Sequence, residues 1–441
     1  MARIAVVGLW HLGCVVSAGL AHLGHTVAAT DFDGDVILTL QHGVPPIYEP
    51  GLAELMALQI SEGRLAFVST CQQAFADAEY IFITFDTPVD EDDQSDLTPV
   101  EAALDAASIH AGPGVQIIVM SQVPVGTCER LAERLRGRAP ELSFSLAYQP
   151  ENLRLGEALK TFLYPDLIMV GAEDEVVAGR LLRLYEGIEA PHVTMSWNSA
   201  EMAKHALNAF LATSISFINE LADLTAATGA DIRDVVRALR QDRRIGPFAF
   251  LSAGPGFSGG TLARDIQTLR RLGKRTGYPT SQLDATLAVN GRRLPNIVAK
   301  IRHLCGEIKG SRVGLLGLTY KSGTNTLRRS SALALAHLLI HQGSKVSAFD
   351  PQVCDLPAGT DGIVLCSDPY QVAKSAVAIV VMTPWPEFKK LDFGRLSSVM
   401  QQPLIIDVHN CLDSGEIRKA GLRYIGTGIA EDQMARRQIA R

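Results

Sequence analysis

Two groups of residues in this sequence have the types and the spacing that chemistry requires. The first is Gly8-Leu9-Trp10-His11-Leu12-Gly13, set between an apolar run and a helical pattern, with Asp31 placed 18 residues beyond Gly13. In a dinucleotide-binding turn one glycine makes the sharp bend, a second admits the pyrophosphate, and a third lets helix and strand pack closely. An acidic residue ending the next strand takes the ribose hydroxyls, and Asp31 fits that role and favours NAD over NADP. Trp10 occupies the second-glycine position. Either its indole turns away and amides at the helix start hold the phosphates, or the domain keeps its shape without a cofactor. The second group is Lys204 and Asn208, four apart and so on one face of a helix. A solvated pair on an interdomain helix has the same spacing, so spacing alone leaves their role open.

The elements that must position these residues fall into three stretches. Arg3–Leu9 reads as an apolar strand, His11–Leu23 as a helix closed by Gly24, and Thr26–Thr30 as a second strand. Strands are expected again at Tyr80–Phe85, Val115–Met120 and Phe144–Tyr148, which implies a mostly parallel, doubly wound sheet. From Ser199 to Thr228 the chain has helical spacing and no proline. A helix of that length spans roughly 45 Å, enough to bridge two domains. A helix at Asp231–Leu239 and helical segments from Ala263 to Ile301 follow. A second α/β series opens at Arg312, with strands at Val313–Leu318, Lys345–Asp350, Val377–Met382 and Leu404–Val408 and a helix at Ser330–Gln342.

Composition narrows the class. The chain has 441 residues, too many for one core, with 47% hydrophobic and 20% charged residues. A net charge of −6 gives no reason to expect a nucleic-acid partner. No apolar run reaches the ~18 residues of a membrane span. The opening MARIAVVGLW is already a strand pattern without the layout of a secretory signal. The 7 cysteines are scattered, with neither CxxC pairs nor metal-ligand spacing. A cytoplasmic protein with reduced thiols and no metal is expected.

Further motifs carry a resemblance. Pro45-Pro46-Ile47-Tyr48-Glu49-Pro50-Gly51-Leu52, Thr87-Pro88 with Asp96-Leu97, and Val123-Pro124-Val125-Gly126-Thr127 come first. Gln149-Pro150-Glu151-Asn152-Leu153-Arg154-Leu155-Gly156, Glu201, Lys204, Asn208, Asn219, Glu220, Arg244-Ile245-Gly246 and Gly254-Pro255-Gly256-Phe257-Ser258-Gly259-Gly260-Thr261 follow in order. Gly317-Leu318-Thr319-Tyr320-Lys321, Asp350-Pro351, Trp385-Pro386-Glu387-Phe388 and Asp407-Val408-His409-Asn410 complete the series. Over nearly the whole chain this resembles the UDP-glucose/GDP-mannose dehydrogenase family. The resemblance implies an NAD-binding Rossmann-like domain over 1–196, a central helical dimerisation region over 197–305, and a nucleotide-sugar-binding domain over 306–441. It implies oxidation of a sugar C6 hydroxyl in two hydride transfers through a cysteine-bound thioester, in a homodimer.

Carried onto this chain, Lys204 and Asn208 would stabilise the oxyanion and orient water, Asp265 would assist water activation, and Glu151 would serve as base. Asp265 and Glu151 have an alternative reading as helix caps. Gly8, Trp10, His11, Leu12, Gly13, Asp31, Thr87, Pro88 and Gln122 would line the cofactor site. Lys321, the loop at Gly256 and Phe257, and Arg244 from a neighbouring subunit would contact the substrate. Several positions depart from the pattern. Thr261 stands where the family has its nucleophilic cysteine, and a threonine hydroxyl does not replace a thiolate without a dedicated base. Leu155 replaces a glutamate, Gln122 a threonine, Arg264 a lysine and His409 an arginine. An NAD-dependent oxidoreductase acting on a CH–OH group of a UDP- or GDP-sugar, without the cysteine relay, is therefore expected, ending at an aldehyde or ketone or epimerising the substrate. Ordinary 6-dehydrogenase activity and a catalytically inactive binding homologue are the alternatives.

Overall fold

The computed structural model describes residues 1–87, 95–258 and 260–430. They form two compact units, Met1–Ala206 and Leu207–Arg441. The first holds strands β1 (Arg3–Val7), β2 (Thr26–Thr30), β3 (Leu65–Phe67), β4 (Tyr80–Ile83), β5 (Val115–Val119), β6 (Phe144–Tyr148), β7 (Ile168–Ala172) and β8 (His192–Met195). Their order in the sheet is β3-β2-β1-β4-β5-β6-β7-β8. The β6–β7 pair is antiparallel, and the other pairs are parallel. The strand order reverses between β1 and β4, and ligands of open α/β sheets bind at such a crevice.

Successive side chains of a strand point to opposite faces, and β1 shows the consequence. Ile4 and Val6 join the core that includes Val15, Val16 and Leu20, whereas Ala5 and Val7 join the one that includes Val100, Leu104 and Leu131. Both faces are covered, so these strands read as continuous apolar runs.

The second unit has strands β9 (Arg312–Leu316), β10 (Lys345–Phe349), β11 (Ile363–Leu365), β12 (Ala376–Val381), β13 (Leu404–Asp407) and β14 (Arg423–Gly426). All its pairs are parallel, in the order β11-β10-β9-β12-β13-β14, which repeats the arrangement of the first six strands of unit one. The fold class expected from the sequence is the one found: two Rossmann-like sheets and a central helical stretch. That stretch comprises the helix Trp197–Thr228, of 32 residues, and the helices Ile232–Gln241, Leu262–Thr276, Ser281–Gly291 and Arg293–Cys305. Among the described residues no helix is long and apolar enough to cross a membrane.

Candidate active site

The cofactor turn forms as its glycines demand. Gly8 has φ +101°, and a Cβ there would lie 2.7 Å from the Phe85 amide nitrogen. A Cβ on Gly13 would lie 1.9 Å from the Gly8 carbonyl oxygen, so the helix His11–His22 meets the turn only with glycine at that point. The Asp31 carboxylate accepts from the Leu9 and Asp33 amides and is only partly buried. Trp10 is 42% exposed and precedes the helix, whose start has neither a side-chain cap nor an acid in its first turn. The first-turn amides thus suit an anion, and the residues present fit a dinucleotide. Gly8 to Gly13 would hold its pyrophosphate and Asp31 its ribose.

Leu12 is buried in the core, and the His11 ring lies 2.9 Å from Glu49. Thr87 is buried and donates to the Gln122 carbonyl at 2.7 Å, joining the segments after β4 and β5. Pro88 lies outside the described residues. Sequence reasoning missed an aromatic pair here. Phe32 stacks on Phe85 with centroids 5.1 Å apart and planes 10° from parallel, beside both Asp31 and Gly8. The aromatic residue directly after the acid was the available signal.

Also in unit one, Lys204 is 4% exposed. Its ammonium donates to the Glu151 carbonyl and, at 3.2 Å, to Asn152 Oδ1, and lies 4.0 Å from a Glu151 carboxylate oxygen. Lys204 and Glu151, named separately from the sequence, are thus in direct contact. Glu201, one turn earlier, is buried and accepts from the amides of Gly126 (2.6 Å) and Cys128 (2.7 Å). Burial raises its carboxyl pKa above the ordinary value, against the opposing pull of those amides. This residue ties the lysine's helix to the Val123–Thr127 turn.

In unit two, the buried Asp265 accepts from Asn208 Nδ2. It lies in the first turn of the helix Leu262–Thr276, and the exposed Thr261 is that helix's N-cap residue without a capping side-chain bond. None of the 7 cysteines falls between Gly254 and Asp265. Burial raises the thiol pKa of Cys71, Cys305 and Cys366, pushes Cys14 and Cys411 up to about 12, and takes Cys128 well above its usual value. None of these six is primed as a thiolate.

Phe257 is buried and Gly256 has φ +95°. Arg244 is 89% exposed at its side chain and pairs with Asp242 at 2.7 Å. A cleft of about 500 Å³ is lined by Arg233, Arg237, Arg240, Leu251, His409 and Asn410, among others. His409 Nε2 donates to the Met382 carbonyl at 3.1 Å, and burial lowers the imidazole pKa, so the ring is neutral near pH 7. The cleft's positive charge comes from its arginines. Lys321 follows β9 and is not among the lining residues.

Comparison with known proteins gives the family. The UDP-glucose/GDP-mannose dehydrogenase family matches through its NAD binding domain at residues 2–189, its central domain at 198–292 and its UDP binding domain at 314–414. The chain belongs to this family. The UDP-glucose 6-dehydrogenase of Rhizobium meliloti (strain 1021) is 34% identical over 97% of this chain and 99% of its own length. That of Bacillus subtilis (strain 168) is 33% identical over 97% and 93%. A UDP-glucose dehydrogenase from the hyperthermophilic archaeon Pyrobaculum islandicum superposes with a TM-score of 0.89 at 33% identity, covering 98% of each chain. Membership makes this chain an NAD-dependent oxidoreductase of the nucleotide-sugar dehydrogenase type. Family and fold are thus as the sequence led us to expect.

Proposed function

We propose that the chain oxidises a CH–OH group of a UDP-linked sugar by hydride transfer without a cysteine-bound intermediate. NAD, when bound, accepts the hydride. Lys204, held by the Glu151 carbonyl and Asn152, supplies a fixed positive charge for the oxygen that becomes a carbonyl. The Glu151 carboxylate beside it takes the hydroxyl proton. In the second unit Asn208 Nδ2 donates to the buried Asp265 carboxylate, a pair of the kind that orients a water. The carbinol loses one hydride and one proton, which leaves an aldehyde or ketone. Re-addition of the hydride on the other face would give an epimer. The observation that carries this reading is Thr261 at the start of the helix Leu262–Thr276, with no cysteine in its loop and six cysteines elsewhere whose thiol pKa is raised, two of them buried and four partly buried.

The arginine-lined cleft suits the nucleotide diphosphate; Lys321, which does not line it, is a phosphate contact only on the family resemblance. We also propose a homodimer through the long helix. Phe210, Phe217 and Leu224 recur every seventh residue on it and are 72%, 50% and 57% exposed, as an apolar seam awaiting a second copy would be. In that dimer the exposed Arg244 reaches the partner's substrate.

The names of the relatives favour a second reading, full oxidation of UDP-glucose to the uronic acid. Counting NADH per sugar consumed, with mass analysis of the product, separates the two. One NADH and a carbonyl product, or an epimer without net NADH, supports our proposal, whereas two NADH and a carboxylate overturn it. A monomer in sedimentation would reject the dimer.

A further inference from the structure

The irregular segment Gly254–Phe257, which leads towards Thr261, is gripped by side chains from three helices of the second unit. The Asn290 amide makes both bonds that a neighbouring strand would make to Phe257. Its Oδ1 accepts from the Phe257 N–H at 2.8 Å, and its Nδ2 donates to the Phe257 carbonyl at 3.1 Å. Gly254 is held in the same two-sided way. Its N–H donates to Asn219 Oδ1 at 2.8 Å, and its carbonyl accepts from Nε and Nη2 of Arg293, each at 3.3 Å. Arg293 is 6% exposed, and its buried guanidinium is paired with the Asp223 carboxylate, 2.8 Å from its Nη1.

Clamp and loop are made for each other. Gly256 has φ +95°, and a Cβ on it would lie 2.3 Å from Asn290 Oδ1. Four backbone groups of an irregular segment thus depend on three side chains, and moving the segment would leave them unsatisfied in the interior.

We propose that Asn290, assisted by Arg293 and Asn219, is a positioning residue for the substrate loop and fixes where that loop meets the nucleotide sugar. This rests on the function proposed above. Two variants separate clamping from general stability. Asn290→Asp keeps the acceptor for the Phe257 N–H and loses the donor, and Asn290→Ala loses both. Hydrogen–deuterium exchange of a peptide spanning 254–258, measured without ligand, should speed up in N290D and further in N290A. KM for the nucleotide sugar should rise about tenfold in N290A, with KM for NAD unchanged because the cofactor turn lies in the other unit. If N290A does not fold, N290D carries both readouts. Exchange as slow as in the wild type, or an unchanged sugar KM beside faster exchange, overturns the proposal. The exchange readout needs no turnover. A chain that turns over no nucleotide sugar while N290A still loses protection would refute the function and leave the clamp standing.

Discussion

Replacing Glu49 by alanine should destabilise the first unit by an amount that its hydrogen bonds allow us to work out. Glu49 is 3% exposed. One carboxylate oxygen accepts from the Gly156 N–H at 2.8 Å and faces His11 Nε2 at 2.9 Å, and the other accepts from the Ala158 N–H at 2.7 Å. Alanine leaves three inward-facing donors without an acceptor. Each stranded donor costs about 1–3 kcal/mol. Removing a buried charge gives some of that back, so the loss should be about 3–5 kcal/mol. Trp10 and Trp197 both lie in this unit and would report urea unfolding by fluorescence. With a slope of about 2–3 kcal/mol per molar urea, the midpoint should fall by roughly 1–2.5 M. Glu49→Gln keeps one good acceptor and should lose about half as much. NAD affinity should fall in parallel, because His11 is the first residue of the helix that meets the phosphates. A midpoint for Glu49→Ala within about 0.3 M of the wild type would show that these three bonds do not hold the turn in place.

Other perturbations test other parts of the site. Gly13→Ala forces its Cβ to within 1.9 Å of the Gly8 oxygen unless the helix start moves by an ångström or more. NAD binding by calorimetry should weaken about a hundredfold while UDP binding persists, and retained NAD affinity would contradict the assigned turn. Thr261→Cys should yield a hydroxylamine-sensitive acyl-enzyme and a second NADH per sugar; if the wild type already forms that adduct, our reading of Thr261 is wrong. Glu201 tests linkage. Its carboxyl pKa is raised above 4.5 in the folded chain, so the folded chain binds that proton more tightly than the unfolded chain does. Stability should therefore fall as pH rises from about 4.5 through the folded value. Glu201→Gln should flatten that part of the profile, and identical slopes would exclude Glu201 as its source.

Much of this molecule was legible in its sequence because parallel strands covered on both faces leave unbroken apolar runs. The runs at Arg3, Thr26, Tyr80, Val115 and Phe144 all became strands, and the helix expected from Ser199 begins at Trp197. Ser330 and Asp231, placed inside helices by periodicity, are their N-caps, with side chains accepting from the first-turn amides. Five strands escaped notice, among them β7, a fully buried run of five residues, and β14; the other three give weaker signals. β3 and β11 have three residues each, and β8 is partly exposed along its length. Motifs in the sequence point to the candidate site residues, but not to their attachments. Asn290 and Arg293 grip the Gly254–Phe257 segment from more than thirty residues away, and no local pattern announces a contact of that range.

The two sheets show how one turn geometry comes to serve different ends. Gly317 after β9 has φ +90°, as Gly8 after β1 has φ +101°. Leu318 N–H donates to Asp350 as Leu9 N–H donates to Asp31. The likeness stops at the carboxylates. Asp350 is 3% exposed and also accepts from the Thr319 amide and hydroxyl, the Trp385 indole and the Gln352 amide. Its oxygens are committed to its own chain and have no room for a ribose diol. The helix after Gly8 begins at His11, whereas the one after Gly317 begins only at Ser331, so the second turn does not lead straight into a row of helix-start amides. The intervening residues include Lys321 and instead form a long loop. A partly exposed carboxylate and a helix that starts directly beyond the glycine turn suit a dinucleotide, and of these two turns the first has both whereas the second has neither.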